Sequence, residues 1–267
     1  MKKLLLFTFI LLGVLVYDIK AQIVQIGSGT TTNSITTASP VNIYYRRTVS
    51  QFVYTAAEIN AAGATGPNTL SQMGFYVTAN PVYDIPGYTI KLKHTTKTNV
   101  NTALGTTGWT TVKNVFTYAP SAGGYDMIVF DTPFVWDGVS NIGVEICWSQ
   151  VQPNYNSSGQ CRIFSSSRGY RYSWDDNTGS ICGSTPSTRV NTKPQVQLTF
   201  KTTSTWNGAV STDWFNTSNW DAGIPDKKMN AFISASASNM PIISASGAVC
   251  KNLDIENSAN LTLGGSN

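Results

Sequence analysis

Charge is scarce in this sequence. Asp, Glu, Lys and Arg make up 12% of its 267 residues, against about a quarter in ordinary globular domains. Part of the formal net charge of +4 belongs to Lys2, Lys3 and Lys20, close to the N-terminus. What remains forms no basic stripe that would follow a phosphate backbone, which excludes nucleic acid as a partner. Histidine is scarcer still. His94 is the only one, so any Ser-His-Asp or Cys-His arrangement would have to use it. It shares the parity of Ile90 and Leu92 at the end of an alternating run, which favours a structural role. There is no C-x-x-C, which argues against a structural zinc site. There is no G-x-S-x-G, P-loop or dinucleotide fingerprint. Glu145, Asp131, Asp137, Asp175 and Asp176 are available as acids, but nothing in their spacing pairs two of them as glycoside hydrolysis requires. The expectation is a chain without catalytic activity and without a cofactor, Ca²⁺ being the one ion left open.

Long apolar runs are also missing, with one exception. Lys2 and Lys3 precede an apolar stretch from Leu4 to Val16, interrupted by Thr8, and Ala21 offers a small residue before a cut at Gln22. This reads as a secretory signal over residues 1–21, too short to span a bilayer. No comparable run follows, so the mature chain is expected to be secreted or held at the cell surface, with no membrane span. In an exported chain, disulfides are permitted. The cysteines are Cys147, Cys161, Cys182 and Cys250, and four cysteines allow three complete pairings. Cys147–Cys182 is favoured because it would tie a core strand to the loop "DDNTGSICGSTPSTR"; Cys161–Cys182 is second.

Helical periodicity is nearly absent. One helical turn stands out, from Tyr54 to Gly63, with Thr55 and Glu58 spaced as a capping box and Gly63 as the stop. Elsewhere short alternating runs lie between Gly, Pro, Asn and Ser clusters. In "YTIKLKHT", Tyr88, Ile90 and Leu92 share one face and Lys91 and Lys93 the other. In "NIGVEICW", Ile142, Val144, Ile146 and Trp148 point to a core. About ten such runs predict an all-β protein whose residues 22–200 form a jelly-roll-like antiparallel β-sandwich.

The composition changes after Phe200. Residues 201–267 begin with a polar link and then "TWNGAVSTDWFNTSNWDAGIPD". Beyond Pro225 the apolar positions become sparse and rhythmic: Ile233, Ile242, Val249, Leu253, Ile255, Leu263. This predicts the rungs of a parallel β-solenoid, each too small to bury its own face. Trp206, Trp214 and Trp220 come directly before those rungs. Large rings cover an open solenoid end well, so a capping role is preferred over a sugar-binding platform. Two rungs fall short of the three or more a solenoid needs, and the expectation is an N-terminal piece of a longer protein.

Several phrases carry a resemblance. "YYRRTVSQFVYTAAEI", "YTIKLKHTT", "FDTPFVWDGVSNIGVEICW" and "KPQVQLTF" make residues 40–200 resemble a β-sandwich module near the N-terminus of secreted, multidomain surface proteins of Bacteroidota. The tryptophan-rich segment and "PIISASGAVCKNLDIENSANLTL" resemble the entry cap of β-solenoid regions in adhesin-like surface proteins. The resemblance implies export by the type IX route and transfers no catalytic motif.

Two stretches are candidate sites. In "GYRYSWDDNTG", Tyr170, Tyr172 and Trp174 alternate on one strand face. If exposed, they would make an aromatic platform for a glycan chain, with Asp175 and Asp176 bonding hydroxyls or holding Ca²⁺; the alternative is that the rings line the core. In "PFVWDGVSN", the oxygens of Asp137 and Asn141 could hold Ca²⁺; the preferred alternative is a turn. The leading expectation is a structural or adhesive surface module that meets extracellular glycans or host and cell-surface proteins. A carbohydrate-binding module comes next, and an accessory domain of a secreted hydrolase third.

Overall fold

The computed structural model describes residues 21–64, 67–148, 159–177 and 181–264. All but the last residue of the expected signal therefore lies outside the described residues. No described helix is long and apolar enough to cross a membrane.

The protein is all-β, and its larger part is two antiparallel sheets. The first is ordered β1 (Gln22–Ile26), β11 (Val196–Phe200), β3 (Asn68–Ala79), β6 (Gly124–Trp136), with β8 (Gln160–Cys161) also on β3. The second is ordered β10 (Thr188–Pro194), β9 (Ile163–Asp175), β2 (Arg47–Tyr54), β7 (Asn141–Trp148), β4 (Ile85–Thr95), β5 (Thr110–Tyr118). Leu70, Met73, Phe75 and Phe200 from the first sheet and Phe52, Tyr88, Trp148 and Tyr170 from the second share one core. Tyr88, Ile90 and Leu92 are fully buried, as their alternation requires. The helix α1 (Ala56–Ala61) has Thr55 as N-cap in a capping box with Glu58. The Glu58 carboxylate also pairs with Lys193 at 2.7 Å.

The middle of the second sheet buries its outer face as well. Every residue of β2 is buried, and in β7 so are Gly143, Glu145 and Cys147, which alternation alone would leave in solvent. Two loops cause this. Loop 96–109 lays Val100 and Leu104 on Val53. Gln51 fixes that loop: its Oε1 accepts from Leu104 N at 2.8 Å and its Nε2 donates to Gly105 O at 3.2 Å. Glu145 under the loop accepts from Gln51 Nε2 at 2.8 Å and from Lys91 Nζ at 3.2 Å. The other cover is the segment after Ile181, which a Cys147–Cys182 disulfide ties to β7 with Ile181 against Val49. Cys161 and Cys250 are free, and burial pushes the Cys161 thiol up to about 12, where it is closed to thiolate chemistry at neutral pH.

From Thr203 onward the pairing becomes parallel. β12 (Thr203–Trp206), β13 (Asn230–Ile233) and β15 (Leu253–Ile255) stack in register, and β14 (Ile242–Ile243) pairs with β16 (Thr262–Leu263). This region has its own cluster, built from Trp206, Trp214, Trp220, Ala231 and Ile233. It joins the sheets through Thr69, whose Oγ1 donates to Ala222 O at 2.7 Å, and through Lys201 N, which donates to Thr69 O at 2.9 Å.

Candidate functional site

The aromatic strand β9 lies against β2, with Ser50 opposite Tyr172 and Phe52 opposite Tyr170. That parity turns Tyr170 and Tyr172 inward. Tyr170 is 2% exposed, stacks on Phe52 at 5.4 Å and donates its hydroxyl to Ser50 Oγ at 2.6 Å. Burial pushes its hydroxyl pKa up. Tyr172 is 7% exposed. A platform of three open rings is therefore not what the strand presents, because the shared face is the core face. Only Trp174, at the rim where the sheet ends, is open, at 47%. It stacks on Tyr45 at 4.5 Å with the rings 10° apart, and Tyr44 meets Tyr45 edge-on at 4.9 Å. Tyr45 is a rim residue that sequence reasoning missed. It lies in a turn 129 positions from Trp174 by chain number, and only strand pairing brings the two together.

The neighbouring carboxylates anchor backbone. Asp175 lies 3.5 Å from Arg47 and accepts from Asn177 N at 2.9 Å. Asp176 Oδ1 accepts from Arg46 N at 3.0 Å. The rim thus offers one indole face edged by acids that are already bonded.

The turn at Asp137 is bonded in the same way. Burial alone would raise the Asp137 carboxyl. Hydrogen bonds from the Ser140 hydroxyl and from the Ser140 and Val139 amides outweigh it and hold the group below its ordinary value. Asn141 Oδ1 accepts from Ala56 N at 2.8 Å, and its Nδ2 donates to Lys97 O at 3.0 Å. The oxygens of both residues are engaged in closing loops. No cluster of three or more His, Cys, Asp or Glu among the described residues is placed to hold a metal.

The other acids are similarly placed. Asp131 pairs with Lys113 at 2.7 Å and accepts from Asn114 N at 2.9 Å. His94 packs on Phe134 at 4.8 Å between ring centres. A cavity of about 210 Å³ lies beside Asn33, Ser39, Tyr170 and Lys193. Two of its polar side chains are committed: Asn33 Oδ1 accepts from Cys161 N, and Lys193 Nζ donates to Val53 O.

The three tryptophans of the C-terminal region are buried against one another. Trp206, Trp214 and Trp220 are 0%, 2% and 5% exposed. Trp220 meets the other two edge-on at 5.1 and 4.7 Å. Trp206 Nε1 donates to Asn239 O at 2.6 Å and Trp220 Nε1 to Trp214 O at 2.9 Å. At the far end of the same region, a groove of about 360 Å³ is lined by Trp214, Val249, Leu253, Ile255 and Leu263.

Residues 205–267 match the model of a family described as a domain of unknown function (DUF8693). No curated protein matches the chain.

Proposed function

We propose that this chain is an exported, non-catalytic display module of the kind found in secreted Bacteroidota surface proteins that use the type IX route. Its head is a jelly-roll-type β-sandwich over residues 22–200. Residues 201–267 are the capped beginning of a parallel β-solenoid. The nested pairings β2 with β7 and β3 with β6, one in each sheet, support the jelly roll, since a folded-over hairpin produces such pairs.

The observation that carries the solenoid reading is a gradient of burial. Ala231 and Ile233 in β13 are fully buried. Their register partners in β15, Leu253 and Ile255, are 42% and 43% exposed. Stacked rungs shield one another, so a position is buried only when a further rung lies above it. A polar ladder follows the same axis: Asn252 Nδ2 donates to Asn230 Oδ1 at 2.9 Å, and Asn230 Nδ2 lies 3.4 Å from Thr203 Oγ1. On this reading the buried tryptophans close the first end of the stack.

The test is made on producing cells. N-terminal sequencing of the protein recovered by surface labelling with a membrane-impermeant amine reagent should give Gln22 as the first residue. Protein that stays unlabelled and keeps Met1 sinks the reading.

A second reading, carbohydrate binding, rests on the open Trp174 face backed by Tyr45. A glycan array with Trp174→Ala as control tests it. Binding that the variant loses would move the function to that rim.

A further inference from the structure

The outer face of the second sheet carries a transverse row. Across successive strands, Arg189 faces Arg171, Arg171 faces Gln51, Gln51 faces Glu145, and Glu145 faces Lys91. The first step of that row is anomalous. Like charges directly opposite on neighbouring antiparallel strands destabilise the pair.

No ion pair among the described residues neutralises it. Among the described residues the ion pairs are Arg47–Asp175, Lys91–Glu145, Lys113–Asp131, Lys193–Glu58 and Lys201–Asp221. Arg171 and Arg189 belong to none. Glu145 is the carboxylate of the row, two strands from Arg171, or roughly 10 Å, and its oxygens already accept from Gln51 and Lys91.

The two guanidiniums are instead drawn together on one residue. Arg171 Nη1 donates to Asn101 O at 2.9 Å; Arg189 Nη1 lies 3.4 Å from the same oxygen and 3.0 Å from Asn101 Oδ1. Arg171 Nε also donates to Pro186 O. Neutral carbonyls satisfy hydrogen bonds but leave two positive charges side by side. Burial and the facing Arg189 both push Arg171 below its ordinary pKa.

Two more cations border the same loop. Arg168 is exposed, takes a φ of 51° that a side chain of its size rarely adopts, and accepts from Val100 N at 2.9 Å through its carbonyl. Lys97 Nζ donates to Ala103 O at 2.7 Å. A local rule broken without compensation inside the fold is the mark of a site completed from outside.

We propose that Arg171 and Arg189 form an oxyanion site that takes a sulfate or carboxylate group. Planar guanidiniums bind such groups through paired hydrogen bonds. The anion supplies the negative charge the row lacks. The site stands on the arginine pair and does not depend on the display reading.

The test uses the purified protein at low ionic strength with sodium sulfate, dextran, carboxymethyl dextran and dextran sulfate as probes. Arg189→Gln is the variant, because Arg189 is exposed and holds only Asn101. Dextran sulfate or carboxymethyl dextran should bind while uncharged dextran does not, and Arg189→Gln should weaken binding about tenfold. Without anion, the variant should melt about 1–3 °C higher than the parent, since a like-charge pair has been removed. Whichever anionic probe binds should raise the melting point of the parent and not of the variant. Saturation by sodium sulfate alone would identify a free ion as the ligand; response to the charged dextrans alone would identify a polymer-borne group, and either supports the site. Unchanged binding in Arg189→Gln, a lower melting point in that variant, or no binding of any probe would overturn it. So would an equal loss in the remote control Lys227→Gln/Lys228→Gln.

Discussion

Trp148 and Trp206 are both fully buried, in cores of different construction. Trp148 lies between two antiparallel sheets, stacked 5.9 Å from Tyr88, within a cluster that draws on nearly every strand up to β11. Trp206 lies in a cluster of five buried residues, three of them tryptophans. The two-sheet region gains burial from distant chain segments and covers even the middle of one outer face with loops. The parallel region gains it from the next stretch of chain, so its burial runs out at β15. One core is redundant and the other depends on a few large rings.

That contrast is most exposed to failure at Trp206. Trp206→Ala should cost about 3–5 kcal/mol, which a cluster of that size cannot absorb. The expected outcome is a protein whose two sheets stay folded while the residues after Thr203 become sensitive to protease, leaving a stable fragment that ends near Lys201. If the variant instead shows one melting transition lowered throughout, the two regions unfold together and the contrast is false. The Thr69–Ala222 bond would be the place to look for the coupling.

A paired substitution sharpens the same point within the stack. Ile233 and Ile255 are register partners, one buried and one 43% exposed. Ile233→Lys buries a charge without a partner and should cost roughly 3 kcal/mol or more. Ile255→Lys should stay within about 0.5 kcal/mol. Chemical denaturation of both variants measures the difference. Equal losses would mean that Ile255 is covered in solution.

In the two-sheet region the disulfide supplies what packing supplies elsewhere. Cys147–Cys182 spans 35 positions and holds Ile181 over Val49. Cys182→Ser, or reduction, should cost about 2–4 kcal/mol, seen as a lower melting point of this region alone. An unchanged melting point would show that the loop stays down without its bond.

Much of the fold could be read from the sequence, and the reason is local. The parity of Tyr88, Ile90 and Leu92, the Thr55–Glu58 spacing and the turn at Asp137 depend on neighbours a few residues away. Exposure does not. Parity placed Tyr170, Tyr172 and Trp174 on one face, but which face, and where the sheet ends above Trp174, follows from pairing with β2, more than a hundred positions earlier. Gln51 and Glu145 lie on the face of their strands opposite the shared core, and it is loop 96–109 closing over them that buries them. The Arg171–Arg189 pairing was hidden for a related reason: the connection between β9 and β10, residues 176–187, is too long for a tight turn to set the register. What could not be read is what long-range contact decides.

The smallest effect separates the regions by acid. The buried amine of Lys193, 2% exposed, meets Glu58 at 2.7 Å, whereas Lys201 and Asp221 meet at the surface of the junction. Partial burial would raise the Glu58 carboxyl, but bonds from Lys193 and from the Thr55 amide and hydroxyl pull it lower than it would be in an unfolded chain. A carboxyl depressed in the folded state binds protons less readily there than when unfolded. Its contribution is therefore complete above the unfolded value, near pH 4.5, and fades as pH falls through the lower folded value. Asp131 and Asp137 are depressed as well and act in the same direction, both within the two sheets. After solvent screening the Glu58 part should amount to at most about 1 kcal/mol. Melting curves between pH 6 and 3 should thus fall more steeply for the two-sheet transition than for the parallel region. Glu58→Gln should flatten the two-sheet slope below about pH 4.5. A slope that Glu58→Gln leaves unchanged would assign the acid sensitivity to the two aspartates instead, and the buried amine would then be held by Val53 O and by the rings of Tyr54 and Phe164 that it faces.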